Sequence, residues 1–218
     1  MVFESFLPPL LSGFFTILLT IFVAELTDKD ALLLLALATK IRPWIVFASG
    51  ALAFTITTTI IVSLGYVLIQ LIPVWAIKLA GGAIMIGYAV WSYAREKREE
   101  KEALEEEERV LRRTSRKKTA WSIFLGAVGM LIVLDLAGDA TEVLTIVYVA
   151  HFENVLLVFV ACVIALVAAS AVETLLGNRL SRLLSIQKLR LVSLAIFLII
   201  GSVVIVTTIF PSLIPQFA

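Results

Sequence analysis

Long apolar stretches alternate with short polar breaks along this chain. Apolar windows fall at about 10–38, 44–70, 74–94, 120–150, 154–177 and 189–210. Each holds roughly 20 residues or more, the length that crosses a hydrocarbon core about 30 Å thick. The ten-residue alternation of an outer-membrane barrel does not occur. The pattern therefore predicts an all-α integral membrane protein with six transmembrane helices. Two windows are broken near their middle by acids. The first carries Glu25-Leu26-Thr27-Asp28-Lys29-Asp30, and the fourth carries Asp135-Leu136-Ala137-Gly138-Asp139-Ala140-Thr141-Glu142. A carboxylate at bilayer depth is costly, so by default it marks an ion or proton pathway.

Composition agrees with the pattern. Of the 218 residues, 61% are hydrophobic, and the mean hydropathy of +1.04 excludes an ordinary soluble domain. The formal net charge of +1 hides a strong segregation. Lys40 and Arg42 follow the first window. Ten basic residues between Arg95 and Lys118 follow the third, and Arg179, Arg182, Lys188 and Arg190 follow the fifth. These three connections hold 16 of the 18 Lys and Arg, whereas the connections near 69–73 and 151–154 hold none. The positive-inside rule puts the three basic connections in the cytoplasm and both termini outside. The chain then divides into a three-helix unit at 1–94, a charged cytoplasmic linker at 95–119 and a second three-helix unit at 120–218. An odd number of spans per unit makes the second copy enter from the opposite side, an inverted repeat of the kind that places a site near the bilayer midplane. The N-terminus lacks a basic n-region and a small-residue cleavage site, so a removable signal peptide is not expected. The setting suggested is a prokaryotic plasma membrane.

Spacing decides which acids can cooperate. Glu25 and Asp28 are three apart and share a helix face; Asp135, Asp139 and Glu142 fall at i, i+4 and i+7 and share another. If the two faces meet, up to five carboxylates surround one cavity. Such oxygen donors suit Ca²⁺, Mn²⁺ or Mg²⁺ rather than soft metals, for which Cys and Met are scarce. Crowded, desolvated carboxylates cannot all stay ionised, so protons would bind as the metal leaves. A break in the first or fourth helix would add backbone carbonyls as ligands. Lys29 either neutralises a neighbouring carboxylate or gates the site. Asp30 is its partner or a water-facing group at the cavity edge. Glu173 lines the pathway or pairs with Arg179 or Arg182.

Other polar residues have plainer readings. Thr55, Thr57, Thr58 and Thr59 are read as hydroxyls bonded to backbone or making helix contacts before they are read as ligands. Lys78 snorkels to headgroups, His151 stands on an outer loop away from the site, and Cys162 is a small core residue. Trp44, Trp75, Trp91 and Trp121 lie near window ends as interfacial anchors. Gly81, Gly82, Gly87, Gly126 and Gly129 permit close helix packing. The linker, with its acidic run Glu105 to Glu108 offset by neighbouring arginines, reads as a solvated helical connection.

The segment ELTDKDALLLLALATK, Glu25 to Lys40, resembles the E-x-G-D-[KR]-[ST] signature of a cation transporter family in the lysine-exporter superfamily. Its members include Golgi transmembrane protein 165 and bacterial manganese exporters. The resemblance covers almost the whole chain. It implies two motif copies in inverted three-helix repeats, transport of Mn²⁺ and Ca²⁺ in exchange for protons, and the motif acids as ligands. Glu25, Asp28 and Lys29 match the first copy, with Thr27 in place of Gly and Asp30 in place of Thr or Ser. Gly138, Asp139 and Thr141 match the second, while Leu136 replaces its acid and Ala140 its basic residue. Asp135 or Glu142 would supply the missing carboxylate.

The expected activity is therefore secondary transport of a divalent cation, Mn²⁺ or Ca²⁺, with H⁺ as coupling ion and no prosthetic group. The alternatives are another metal or small solute, or a non-transporting membrane assembly partner. An enzyme is not expected, because no Ser–His pair or intramembrane Arg supports one. Expected partners are the cation, the lipid bilayer and a second copy in a homodimer, with no nucleic acid.

Overall fold

The computed structural model describes residues 2–26, 31, 34, 37–38, 41–94, 119–136, 140–152, 154–183 and 186–210. Their regular structure is entirely helical: α1 (Val2–Leu26), α2 (Pro43–Leu71), α3 (Val74–Ala94), α4 (Ala120–Asp135), α5 (Ala140–His151), α6 (Val155–Leu183) and α7 (Ile186–Ile209). Local chemistry sets the described ends. Pro43 opens α2 at a position whose amide has no intrahelical partner anyway. Pro73 holds Ile72 extended (φ −126°, ψ 136°) and so ends α2; its carbonyl then accepts the first amides of α3, from Ala76 and Ile77. Asn154 caps α6, its Oδ1 accepting the Leu157 amide at 3.0 Å.

Among the described residues, three helices are long and apolar enough to cross a membrane: Pro43–Leu71, Val74–Trp91 and Val155–Leu175. Leu10–Leu26, Ala120–Asp135, Thr141–His151 and Leu194–Ile209 are further apolar helical stretches. Within the 120–150 window two helices are described. α4 stops at Asp135, with Leu136 at φ −70°, ψ −6°, and α5 starts at Ala140. The surface is apolar and the interior holds polar groups. Leu19, Leu64, Leu175 and Ile199 face outward, while Glu25, Ser49, Thr57, Ser170 and Glu173 are buried. Trp44, Trp75, Trp91 and Trp121 are all exposed near helix ends, as interfacial anchors should be. Cys162 is fully buried in the core.

The helices pack in a few main pairs. α1 lies against α6, and α4 lies against α2; α2 also packs on α6, and α3 on α7. α5 sits against both α2 and α3. The α3–α7 crossing depends on glycine. A Cβ on Gly82 would stand 2.9 Å from the Gly201 carbonyl oxygen, and a Cβ on Gly201 would stand 2.9 Å from the Gly82 carbonyl oxygen. Two helix backbones touch there reciprocally, with no room for a methyl group. Gly81 makes a similar close approach to Val147 on α5. Gly87 and Gly129, by contrast, have nothing within 4 Å of a built Cβ, so the packing expected of them is not found.

Gly82→Ala should accordingly destabilise the bundle by about 1–3 kcal/mol, the usual range for overpacking, whereas Gly87→Ala should be neutral or slightly stabilising. Thermal denaturation of both variants in detergent checks this; equal midpoints would mean that the crossing relaxes without cost.

Candidate functional site

Contacts between helices fix the relative depth of the acids. Gly65 on α2 meets Val149 on α5, and Gly50 on α2 meets Ser170 on α6 together with Leu34. Val149 is close to the α5–α6 turn and Ser170 is far from it, so α2 runs parallel to α5 and antiparallel to α6. Gly13 on α1 meets Phe152, and Thr20 Oγ1 lies 2.6 Å from the Tyr148 hydroxyl; α1 therefore runs opposite to α5. Ser49 Oγ donates to the Phe124 carbonyl at 3.5 Å, which places the start of α4 beside the start of α2.

Helix rise of about 1.5 Å per residue converts these contacts into levels. Glu142 stands as many residues before Val149 as Thr58 stands before Gly65, so the two share a level. Glu25 follows Thr20 by the interval that carries α5 from Tyr148 back to Val143, next to Glu142. Asp135 follows Phe124 by the interval that carries α2 from Ser49 to Ile60. Glu25, Asp135 and Glu142 therefore fall within about one helical turn of a single level, at the middle of α2. Thr145 and Cys162, 3.8 Å apart, adjoin the same layer.

Burial differs among these acids. Glu25 is 0% exposed and Asp135 5%; Glu142 is half-buried with its Oε1 inside. Among the described residues, no three of His, Cys, Asp and Glu form a metal-ligand group. The acids share a layer without closing on one point. Asp28, Lys29, Asp30 and Asp139 lie outside the described residues. Glu173 is also 0% exposed, but it is one turn beyond Ser170, which meets Gly50. That puts it about 16 Å of helix rise from the layer, toward the start of α2 and away from the other acids.

The hydroxyls divide cleanly. Thr55, Thr57 and Thr59 donate to Ala51, Phe54 and Thr55 carbonyls, as expected for threonines inside helices. Ser170 and Thr174, on the face that carries Glu173, donate to the Leu166 and Ser170 carbonyls. His151, expected on a loop, is instead the last residue of α5, half-buried with its ring edge-on to Phe152 at 4.9 Å. Lys78 is half-buried near the start of α3. The Thr20–Tyr148 bond joins residues 128 apart, and no local pattern announces it.

Compared with known protein families, the chain is matched by the model described as divalent cation/proton antiporter GDT1, over residues 13–100 and again over 123–211. No curated protein and no solved structure matches it.

The Thr20–Tyr148 bond ties α1 to α5 about one to two turns from the acidic layer. Tyr148→Phe should lower stability by about 1 kcal/mol, since Thr20 keeps its second bond to the Thr16 carbonyl. A detergent-phase denaturation midpoint equal to wild type would show that the bond adds nothing net.

Proposed function

This chain belongs to the divalent cation/proton antiporter GDT1 family, and from that premise we propose that it exchanges Mn²⁺ or Ca²⁺ for protons at one acidic layer. Family membership implies a transporter of divalent cations rather than an enzyme. The cation ligands proposed are Glu25 and Asp28 from the first half and Asp135, Asp139 and Glu142 from the second. The observation that carries the reading is the shared level of Glu25, Asp135 and Glu142. Acids from both halves stand at mid-height of a helix long enough to cross a membrane, where isolated charges are expensive.

Several features favour an inverted pair of three-span repeats around this layer. The family model fits the two halves separately. α1–α6 packing is mirrored by α4–α2 packing, and Gly82 and Gly201 touch reciprocally, as a two-fold axis between α3 and α7 requires. α4 climbs to the layer and α5 continues beyond it, so the pair together makes one crossing. The basic connections are assigned to the cytoplasm of a prokaryotic cell.

Exchange follows from electrostatics. A divalent cation among several carboxylates offsets their repulsion and their loss of hydration. When it leaves, protons are the replacement that keeps the layer close to neutral. Cation and protons thus compete for the same oxygens, and rocking of the halves carries one or the other across. Lys29 offsets residual charge and Asp30 lies at the cavity edge. Glu173, far from the layer, is assigned to the cytoplasmic leg of the pathway. All five ligands come from one chain, so a homodimer would join two complete sites. Oxygen-only ligation favours hard ions, and the replacement of the second motif's acid by Leu136 makes the choice between Mn²⁺ and Ca²⁺ a property of this chain.

Asp28→Asn and Asp139→Asn should each abolish cation flux into proteoliposomes, and Glu105→Gln in the linker should leave it intact. Equal flux from all three variants would remove the acidic layer from the transport path.

A further inference from the structure

The run Thr55-Ile56-Thr57-Thr58-Thr59 occupies the middle of α2, and its hydroxyls are not equivalent. A threonine inside a helix satisfies its hydroxyl on the carbonyl three or four residues earlier. For Thr58 those carbonyls are Thr55 and Phe54. Both are already taken by a neighbouring hydroxyl: Thr59 Oγ1 donates to the Thr55 oxygen at 2.6 Å, and Thr57 Oγ1 donates to the Phe54 oxygen at 3.2 Å. Thr58 is 4% exposed, and its Oγ1 has no hydrogen-bond partner among the described residues. A buried hydroxyl in that condition lowers stability, and a valine of nearly the same shape would avoid the loss. Thr58 thus lacks the local solution that its neighbours use, at the height of Glu142 and within about a turn in height of Glu25 and Asp135.

We propose that Thr58 Oγ1 is a neutral oxygen ligand of the transported cation. The proposal rests on the antiporter reading above and adds to the ligand set a residue outside both acidic motifs. A hydroxyl suits the position. It supplies a hard oxygen to a shell of about six to eight ligands without adding a charge that protons would have to balance on the return step. Thr58 therefore contributes to cation affinity while the carboxylates carry the exchange.

The test is the concentration dependence of Mn²⁺ and Ca²⁺ uptake into proteoliposomes for wild type, Thr58→Val, Thr58→Ser and Thr55→Val. Thr58→Val keeps shape and removes the oxygen; its KM should rise about tenfold for at least one cation, with an unchanged elution profile in detergent. Thr58→Ser should restore the KM to near wild type. Thr55→Val, whose lost hydroxyl served only the Ala51 carbonyl, should transport like wild type. An unchanged KM in Thr58→Val would overturn the proposal and leave the antiporter reading standing. So would equal impairment of Thr58→Val and Thr58→Ser, because packing would then explain both. A wild-type protein that carries neither ion would overturn the antiporter reading and the proposal together.

Discussion

Carboxylates inside a bundle with an apolar exterior constrain everything else in this protein. Glu25 and Asp135 are almost completely removed from solvent, in helices whose outer faces present leucine, isoleucine and valine to lipid. Such groups persist only where counter-charge, protons or fixed dipoles compensate them. Bringing acids from both halves to one layer adds mutual repulsion to that cost, so the layer needs protons or a bound cation to offset it. The long α2 is the ruler against which that layer is aligned: Gly50 and Ser49 fix its lower half against α6 and α4, and Gly65 fixes its upper half against α5.

Close backbone approach serves the same end. Glycines at the α3–α7 crossing let two helix backbones touch, and α5 packs against both α2 and α3. The Thr20–Tyr148 bond is different in kind: it fastens α1 to α5 on one side of the layer by a specific polar link. The two sides of the layer are therefore unequal.

Much of this was legible in the chain. Apolar length and the 3.6-residue period expose the helices, and acids in the first and fourth windows stand out because the bilayer penalises them. The same acids pointed to a break in the first or fourth helix, and the fourth window is described as two helices, α4 and α5. Gly87 and Gly129 look like packing glycines by composition, but whether a small residue meets a neighbour depends on helix rotation, which spacing alone leaves open. Spacing left Glu173 open between lining the pathway and pairing with Arg179 or Arg182, and the Gly50–Ser170 contact places it well away from Glu25, Asp135 and Glu142. Thr58 was hidden inside a run of similar residues. It is separated from its neighbours only by which carbonyl each hydroxyl occupies, and that requires coordinates. Asp28, Lys29, Asp30 and Asp139 fall outside the described residues, so their part rests on spacing and on the family to which the chain belongs.

The central claim is that cation and protons compete for one acidic layer, and its most direct test is coupled flux. Purified protein in tight proteoliposomes carrying a pH-sensitive dye should take up Mn²⁺ or Ca²⁺ when the lumen is acidic, with protons leaving as the cation enters. Reversal of the pH gradient should reverse the cation flux. Cation movement that is indifferent to the gradient, with no accompanying change in luminal pH, would contradict exchange at a shared site.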